Sequence, residues 1–166
     1  MKKIIHLTLF LAIISAIAGG ALAAVNNLTA PIIEENALAE VKSTLEEFFP
    51  NGSFTEVDIK GEVEYITNIY EAEGEGVIYK VSVQGFSDTI TYLVAIDNDR
   101  KFSGYKVTEI SDTQGYGSRV GDPEFYEPFI GQSIDTQVDT LSGATVSSTA
   151  VVNGLKEVVK YHNENY

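Results

Sequence analysis

The chain predicts an α+β fold: an N-terminal transmembrane helix, then an extracytoplasmic domain with an antiparallel sheet flanked by helices. Three observations carry this. Residues 4–25 form an uncharged, mostly apolar run long enough to cross a bilayer as a helix. Between Phe54 and Ile110 the sequence breaks into short segments rich in Val, Ile, Tyr and Thr, separated by turn residues, which is the pattern of neighbouring strands. After Thr145, apolar residues at Val151, Leu155, Val158 and Val159 return at helical spacing. The 166 residues contain no cysteine, which excludes a disulfide framework, thiolate zinc sites and cysteine-bound iron–sulfur clusters. Lys and Arg number 11 against 24 Asp and Glu, and Lys2 and Lys3 both precede the apolar run, so the rest is strongly acidic. Such a surface repels nucleic acid and anionic lipid headgroups.

Residues 1–27 read as a cytoplasmic start and a membrane anchor. Lys2 and Lys3 stay in the cytoplasm and send the remainder across. A signal peptide cleaved after Ala21-Leu22-Ala23 is the competing reading. The apolar run is longer than a usual signal core and flows into a further helical pattern, which favours an uncleaved anchor. His6, near the cytoplasmic edge, can snorkel and has no assigned role. Residues 28–50 read as a stalk helix. Pro31 suits a first helical turn, and Glu34 and Glu35 suit the positive end of the dipole. Leu38, Val41, Leu45 and Phe48 make one apolar stripe, and Pro50-Asn51-Gly52 ends the helix. Docking on the outer domain fits this stripe better than lying on a membrane surface, because the polar face is acidic.

Residues 51–166 form the outer domain. Strands are predicted over residues 63–72, 76–84, 89–96 and 102–110, the last two joined as a hairpin by Asp97-Asn98-Asp99. That turn is not a calcium loop, because Lys101 takes the third ligand position and no glycine follows it. Residues 111–117 break the strand pattern. Their paired glycines fail the dinucleotide fingerprint, and a flexible turn is the plain reading. Residues 122–129 read as a short helix, capped by Asp122 with Pro123 at its first turn and ended by Gly131. A polar, strand-like approach over residues 134–141 leads into Ser142-Gly143-Ala144-Thr145, where the last helix begins and runs to about Tyr161. Ser and Thr crowd that start, where hydroxyls can cap free backbone N–H groups. A helix start also suits a phosphate, and Gly143 lets the backbone approach a ligand closely. From the residues alone, an ordinary N-cap and a phosphate cradle both remain open. His162 reads as a favourable C-terminal residue rather than a base. No nucleophile–base pair points to hydrolysis, and no catalytic or metal-binding residues are assigned.

The stretch Asp139-Thr-Leu-Ser142-Gly143-Ala144-Thr145 resembles the flavinylation motif of the FMN-binding domain family: an acid, a short spacer, then Ser/Thr-Gly-Ala-Thr. In that family the last Thr carries FMN through a phosphoester bond. The resemblance implies covalent FMN on Thr145, with Ser142, Gly143, Ala144 and Ser148 beside it. Asp112-Thr113-Gln114-Gly115-Tyr116-Gly117 resembles the family's second signature, an acid-Thr-Pro-Gly-Leu-Gly loop next to the flavin. Asp112, Thr113, Gly115 and Gly117 match, while Gln114 and Tyr116 replace the Pro and Leu.

The order of segments along nearly the whole chain is similar to the G subunits of Rnf-type complexes, ion-translocating ferredoxin:NAD oxidoreductases of bacterial membranes. That resemblance implies an electron carrier in the inner (cytoplasmic) membrane, single-pass, with its N-terminus inside and its flavin domain outside. The implied partners are other membrane subunits of the complex, a flavin transferase for maturation and membrane lipid. Two relatives of the same layout remain open: the C-type subunit of a sodium-translocating NADH:quinone reductase, for which this chain is short, and a stand-alone extracytoplasmic FMN carrier. A membrane-anchored binding or scaffold module, with Thr145 serving only as a cap, is the non-redox reading.

Overall fold

A computed structural model describes residues 2–110, 112, 115 and 117–166, and for Lys2, Lys3 and residues 31–40 it describes the backbone only. The chain divides into two units, Met1–Lys42 and Ser43–Tyr166. One helix, α1 (Lys2–Phe48), supplies the first unit and the start of the second. The sequence reads as an anchor over residues 1–27 and a stalk helix over residues 28–50 with Pro31 in its first turn, yet one helix runs through both. A proline inside a helix removes one backbone hydrogen bond. Helix on both sides of Pro31 holds the register across that gap. Within α1, Ile4–Ala30 is long and apolar enough to cross a membrane, and its side chains are exposed throughout.

The second unit is built on a five-stranded antiparallel meander: β1 (Phe54–Val57), β2 (Ile66–Ala72), β3 (Gly76–Gln84), β4 (Thr89–Asp97) and β5 (Phe102–Ile110), in that order across the sheet. The predicted β4–β5 hairpin is present, with Leu93 opposite Lys106. Asp97 fixes its turn. One carboxylate oxygen accepts the N–H groups of Asp99 and Lys101, each at 2.9 Å. The sheet is covered on both faces, which is why β3 and β4 read as nearly unbroken apolar runs. On one face, Tyr79, Val81 and Val83 stand opposite Val94, Tyr92 and Ile90. They share a core with Val151, Leu155 and Val158 of α3 (Thr145–Asn165). On the other face, Ile78, Leu93 and Ala95 are fully buried, and the end of α1 presses on the strands. A Cβ on Gly104 would lie 2.3 Å from the Phe48 ring, and one on Gly76 would lie 2.9 Å from that of Phe49.

Close approach also sets how α3 sits. A Cβ on Gly154 would fall 2.4 Å from the Tyr92 hydroxyl oxygen and 2.9 Å from Val81. The helix therefore lies directly on the sheet, and the Tyr92 hydroxyl donates to the Val151 carbonyl at 3.0 Å. Beyond β5 a 3₁₀ turn (Gly117–Gly121) leads to α2 (Pro123–Tyr126). Phe125 and Phe129 pack edge-on against Tyr105. Asp122 holds the N-cap position of α2 with Pro123 beside it, but its side chain makes no cap bond. Gly131 then turns the chain with φ 79°.

One further expectation is corrected. The approach over residues 134–141 is not a strand. The bridge of Lys101 to Ser133 ends just before it. Ile134 is buried in the core, Val138 and Leu141 are half-buried, and the residues between them are exposed. A polar segment with so few inward side chains does not extend the sheet. His162 lies in the last turn of α3, as expected, and faces inward. Its ring is buried, shares a 2.8 Å hydrogen bond with the Tyr79 hydroxyl and stacks on Tyr166. Burial, then the charge of Arg100, holds its pKa below the ordinary histidine value.

Candidate functional site

The start of α3 is shaped by the turn before it. Ala144 N–H donates to the Leu141 carbonyl at 3.1 Å, closing a four-residue turn over Leu141, Ser142, Gly143 and Ala144. Gly143 holds φ 83°, the left-handed region that such a turn demands at its third residue. The N-cap of α3 is Ala144, and no side chain caps it. The crowd of hydroxyls does not cap the free N–H groups, contrary to expectation. Ser148 accepts from the Leu141 N–H at 3.0 Å and donates to the Ala144 carbonyl at 2.9 Å, so it locks the turn from within. Thr145 leans back on the Leu141 carbonyl at 3.4 Å. The N–H groups of the first turn of α3 thus carry no side-chain cap.

The hydroxyls differ sharply in access. Ser147 and Ser148 are 1% and 0% exposed, whereas Ser142, Thr145 and Thr149 are exposed. Thr145 borders a cavity of about 490 Å³ lined also by Phe86, Gly117, Gly143, Ala144, Val146 and Ser147. That volume lies within the range of small-molecule sites, roughly 300–1,000 Å³. The walls are mainly apolar or glycine.

Asp112 joins the parts. It is 7% exposed. One carboxylate oxygen accepts the Ser87 N–H and hydroxyl at 3.0 and 2.9 Å. The other accepts the Phe86 N–H at 3.0 Å and the Ser147 hydroxyl of α3. Bonds of this number satisfy a buried carboxylate, which would otherwise be costly. A Cβ on Gly117 would fall 2.2 Å from Oδ2 of Asp112, so this position has room only for glycine. Gly115 sits at φ 79° and donates to the Ser118 hydroxyl at 2.9 Å.

Of the residues singled out in the sequence, Gly117, Gly143, Ala144 and Thr145 line one cavity, and Asp112 braces it. Ser142 is not part of the lining; its carbonyl accepts from Arg119 at 2.9 Å. Ser148 lies behind the turn, and Thr113 lies outside the described residues. Three residues were not foreseen: Phe86, Val146 and Arg119. Phe86 and Val146 are exposed apolar side chains at the cavity, 69% and 57% accessible. Arg119 ties the Ser142 turn to Glu124 of α2, 2.9 Å from its carboxylate. An aromatic inside the turn segment Gly85-Phe86-Ser87-Asp88 was a readable signal, since turns favour polar residues.

A helix start, glycine turns and a largely apolar cavity thus meet around Thr145. The FMN-binding domain family matches residues 85–160, and the RnfG N-terminal region matches residues 1–48. Among similar proteins is the G subunit of the ion-translocating oxidoreductase complex of Methanosarcina acetivorans, 30% identical and covering 96% of this chain and 95% of that protein. Its counterpart of the same name from Photorhabdus laumondii is 29% identical over 91% of this chain and 86% of its own. The G subunit of the Na(+)-translocating ferredoxin:NAD(+) oxidoreductase complex of Acetobacterium woodii is 24% identical over 97% and 92%. The chain belongs to the G-subunit family of ion-translocating oxidoreductase complexes, the Rnf family, and carries its FMN-binding domain.

Proposed function

We propose that this chain is the membrane-anchored electron carrier of an Rnf-type complex, holding FMN as a phosphoester on Thr145. The observation that carries the tether is the access of Thr145. Thr145 is exposed beside the cavity, at an uncapped helix start, with only a long 3.4 Å bond from its hydroxyl, while Ser147 and Ser148 are buried and more closely bonded. Ser142 and Thr149 are also exposed, and the family motif separates them from Thr145, since the acceptor is the Thr directly after Gly-Ala. The residues present fit the cofactor. Free N–H groups in the first turn of α3 would face the phosphate, Gly143 and Gly117 keep the approach open, and apolar walls suit a flat ring.

FMN supplies one- and two-electron redox chemistry when bound. The chain's own part is to tether, to orient and to keep the redox group in an exposed domain. The names of the relatives support other membrane subunits of an ion-translocating complex as neighbours, and a separate flavin transferase would attach the cofactor. Ile4–Ala30 would cross the inner membrane with Lys2 and Lys3 in the cytoplasm and the FMN domain outside.

The test is peptide mass spectrometry on the full chain co-produced with the transferase. One FMN phosphoryl adduct is expected on Thr145, and Thr145→Val is expected to abolish it while the fold persists, since Thr145 caps nothing. An adduct on Ser142 or Thr149, or one retained in the Val variant, would refute the assignment.

A further inference from the structure

Phe86 is out of place for a turn residue. It lies between β3 and β4 and is 69% exposed, although an aromatic ring gains from burial. Its backbone is nonetheless firmly held. Gly85 N–H donates to the Asp88 carbonyl at 2.9 Å, and Phe86 and Ser87 N–H groups both go to Asp112. A Cβ on Gly85 would meet Oδ2 of Asp112 at 2.4 Å and Ile90 at 2.8 Å, so the turn is seated against the carboxylate. The same carboxylate accepts the Ser147 hydroxyl. One buried group therefore fixes the turn bearing Phe86 to the helix bearing Thr145 and Val146. The exposed ring is held at the wall of the Thr145 cavity, with Val146 lining the same space.

Resting on the FMN reading above, we propose that Phe86 is a positioning residue for the flavin: its ring packs against the isoalloxazine, with Val146 as a second apolar contact, and so sets the orientation and polarity around the redox ring. Aromatic faces favour offset or edge-on packing on other π-systems, and a flavin presents a broad one. The tether at Thr145 fixes only the phosphate end of the cofactor. The isoalloxazine lies at the other end of a flexible ribityl chain and needs a contact of its own. Phe86 supplies one from a different strand connection, and Asp112 keeps the two ends of the cofactor in register. A flavin ring held in one orientation against a protein wall gains visible circular dichroism.

The experiment uses the full chain co-produced with the transferase, as wild type, Phe86→Ala and Phe86→Tyr. Intact mass first establishes the FMN adduct, and thermal unfolding establishes that the exposed substitution leaves the fold intact. With equal adduct in all three, Phe86→Ala is expected to weaken the visible circular dichroism of the flavin and shift its reduction potential. Phe86→Tyr, which retains the ring, is expected to keep the visible circular dichroism. Loaded Phe86→Ala with unchanged circular dichroism and potential would overturn this proposal alone. A wild-type chain without the adduct would overturn the tether at Thr145 and this proposal with it.

Discussion

Asp112 is the residue whose removal has the most clearly defined cost. In Asp112→Ala the amides of Phe86 and Ser87 and the Ser147 hydroxyl lose their acceptor. Ser147 is 1% exposed, so water does not replace the carboxylate there, and a stranded buried donor costs about 1–3 kcal/mol. The two amides are only part-buried and recover some solvent, so each falls near the lower end. The sum is about 3–5 kcal/mol. In Asp112→Asn one oxygen remains. The Ser147 hydroxyl can reverse and accept from the new amide, but one backbone N–H then faces an NH₂ group. That leaves a single mismatch, about 1–3 kcal/mol. Urea unfolding of the full chain in detergent, followed by tyrosine fluorescence, measures both. The expected order is wild type, then Asn, then Ala, with the Ala variant close to unfolding, given a typical total of about 5–15 kcal/mol. An Ala variant within about 1 kcal/mol of wild type, or an Asn variant as weak as Ala, would refute the bracing role.

Two further outcomes follow from the packing of α3. Because the folded-state pKa of His162 is lowered by burial and by Arg100, the unfolded chain binds the extra proton first. Stability is therefore full above the ordinary histidine pKa of about 6.5 and falls as pH drops below it. Melting temperatures between about pH 7.5 and 5.5 should decline, and His162→Gln should flatten that slope; a slope unchanged in the variant would assign it elsewhere. Gly154→Ala should destabilise by about 1–3 kcal/mol through overpacking against Tyr92 and Val81. Alanine's helix propensity, about 1 kcal/mol better than glycine's, offsets part of that, so a more stable variant in thermal unfolding would show that α3 can lift off the sheet.

Much of this architecture was legible in the residues. Dense Val, Ile and Tyr marked β3, β4 and β5 nearly to the residue, because strands buried on both faces carry a continuous signal. Val151, Leu155 and Val158 marked the face of α3 that is buried. Two glycine-bearing stretches, well separated in the chain, could be assigned to one site only through a family resemblance. Their meeting depends on Asp112 and Ser147, a contact that no local pattern encodes. Arg119 was invisible for the same reason, since Ser142 comes from a distant segment; Phe86 could be noticed as an aromatic in a turn, but not placed. The hydroxyl-rich start of α3 misled in the opposite way. Its composition promised caps, but the turn at Gly143 directs Ser148 inward and leaves Ala144 at the N-cap.

The meander gives the domain a definite order of completion. Every strand pairs with its neighbour in the chain, so the sheet can form progressively as the polypeptide emerges, at low loop-closure cost. The proposed acceptor, Thr145, belongs to α3, which follows every strand in the chain and covers a sheet whose strands all precede it. A chain stalled or clipped ahead of α3 would therefore lack the proposed acceptor. On that reading, cofactor loading waits for synthesis to pass through α3.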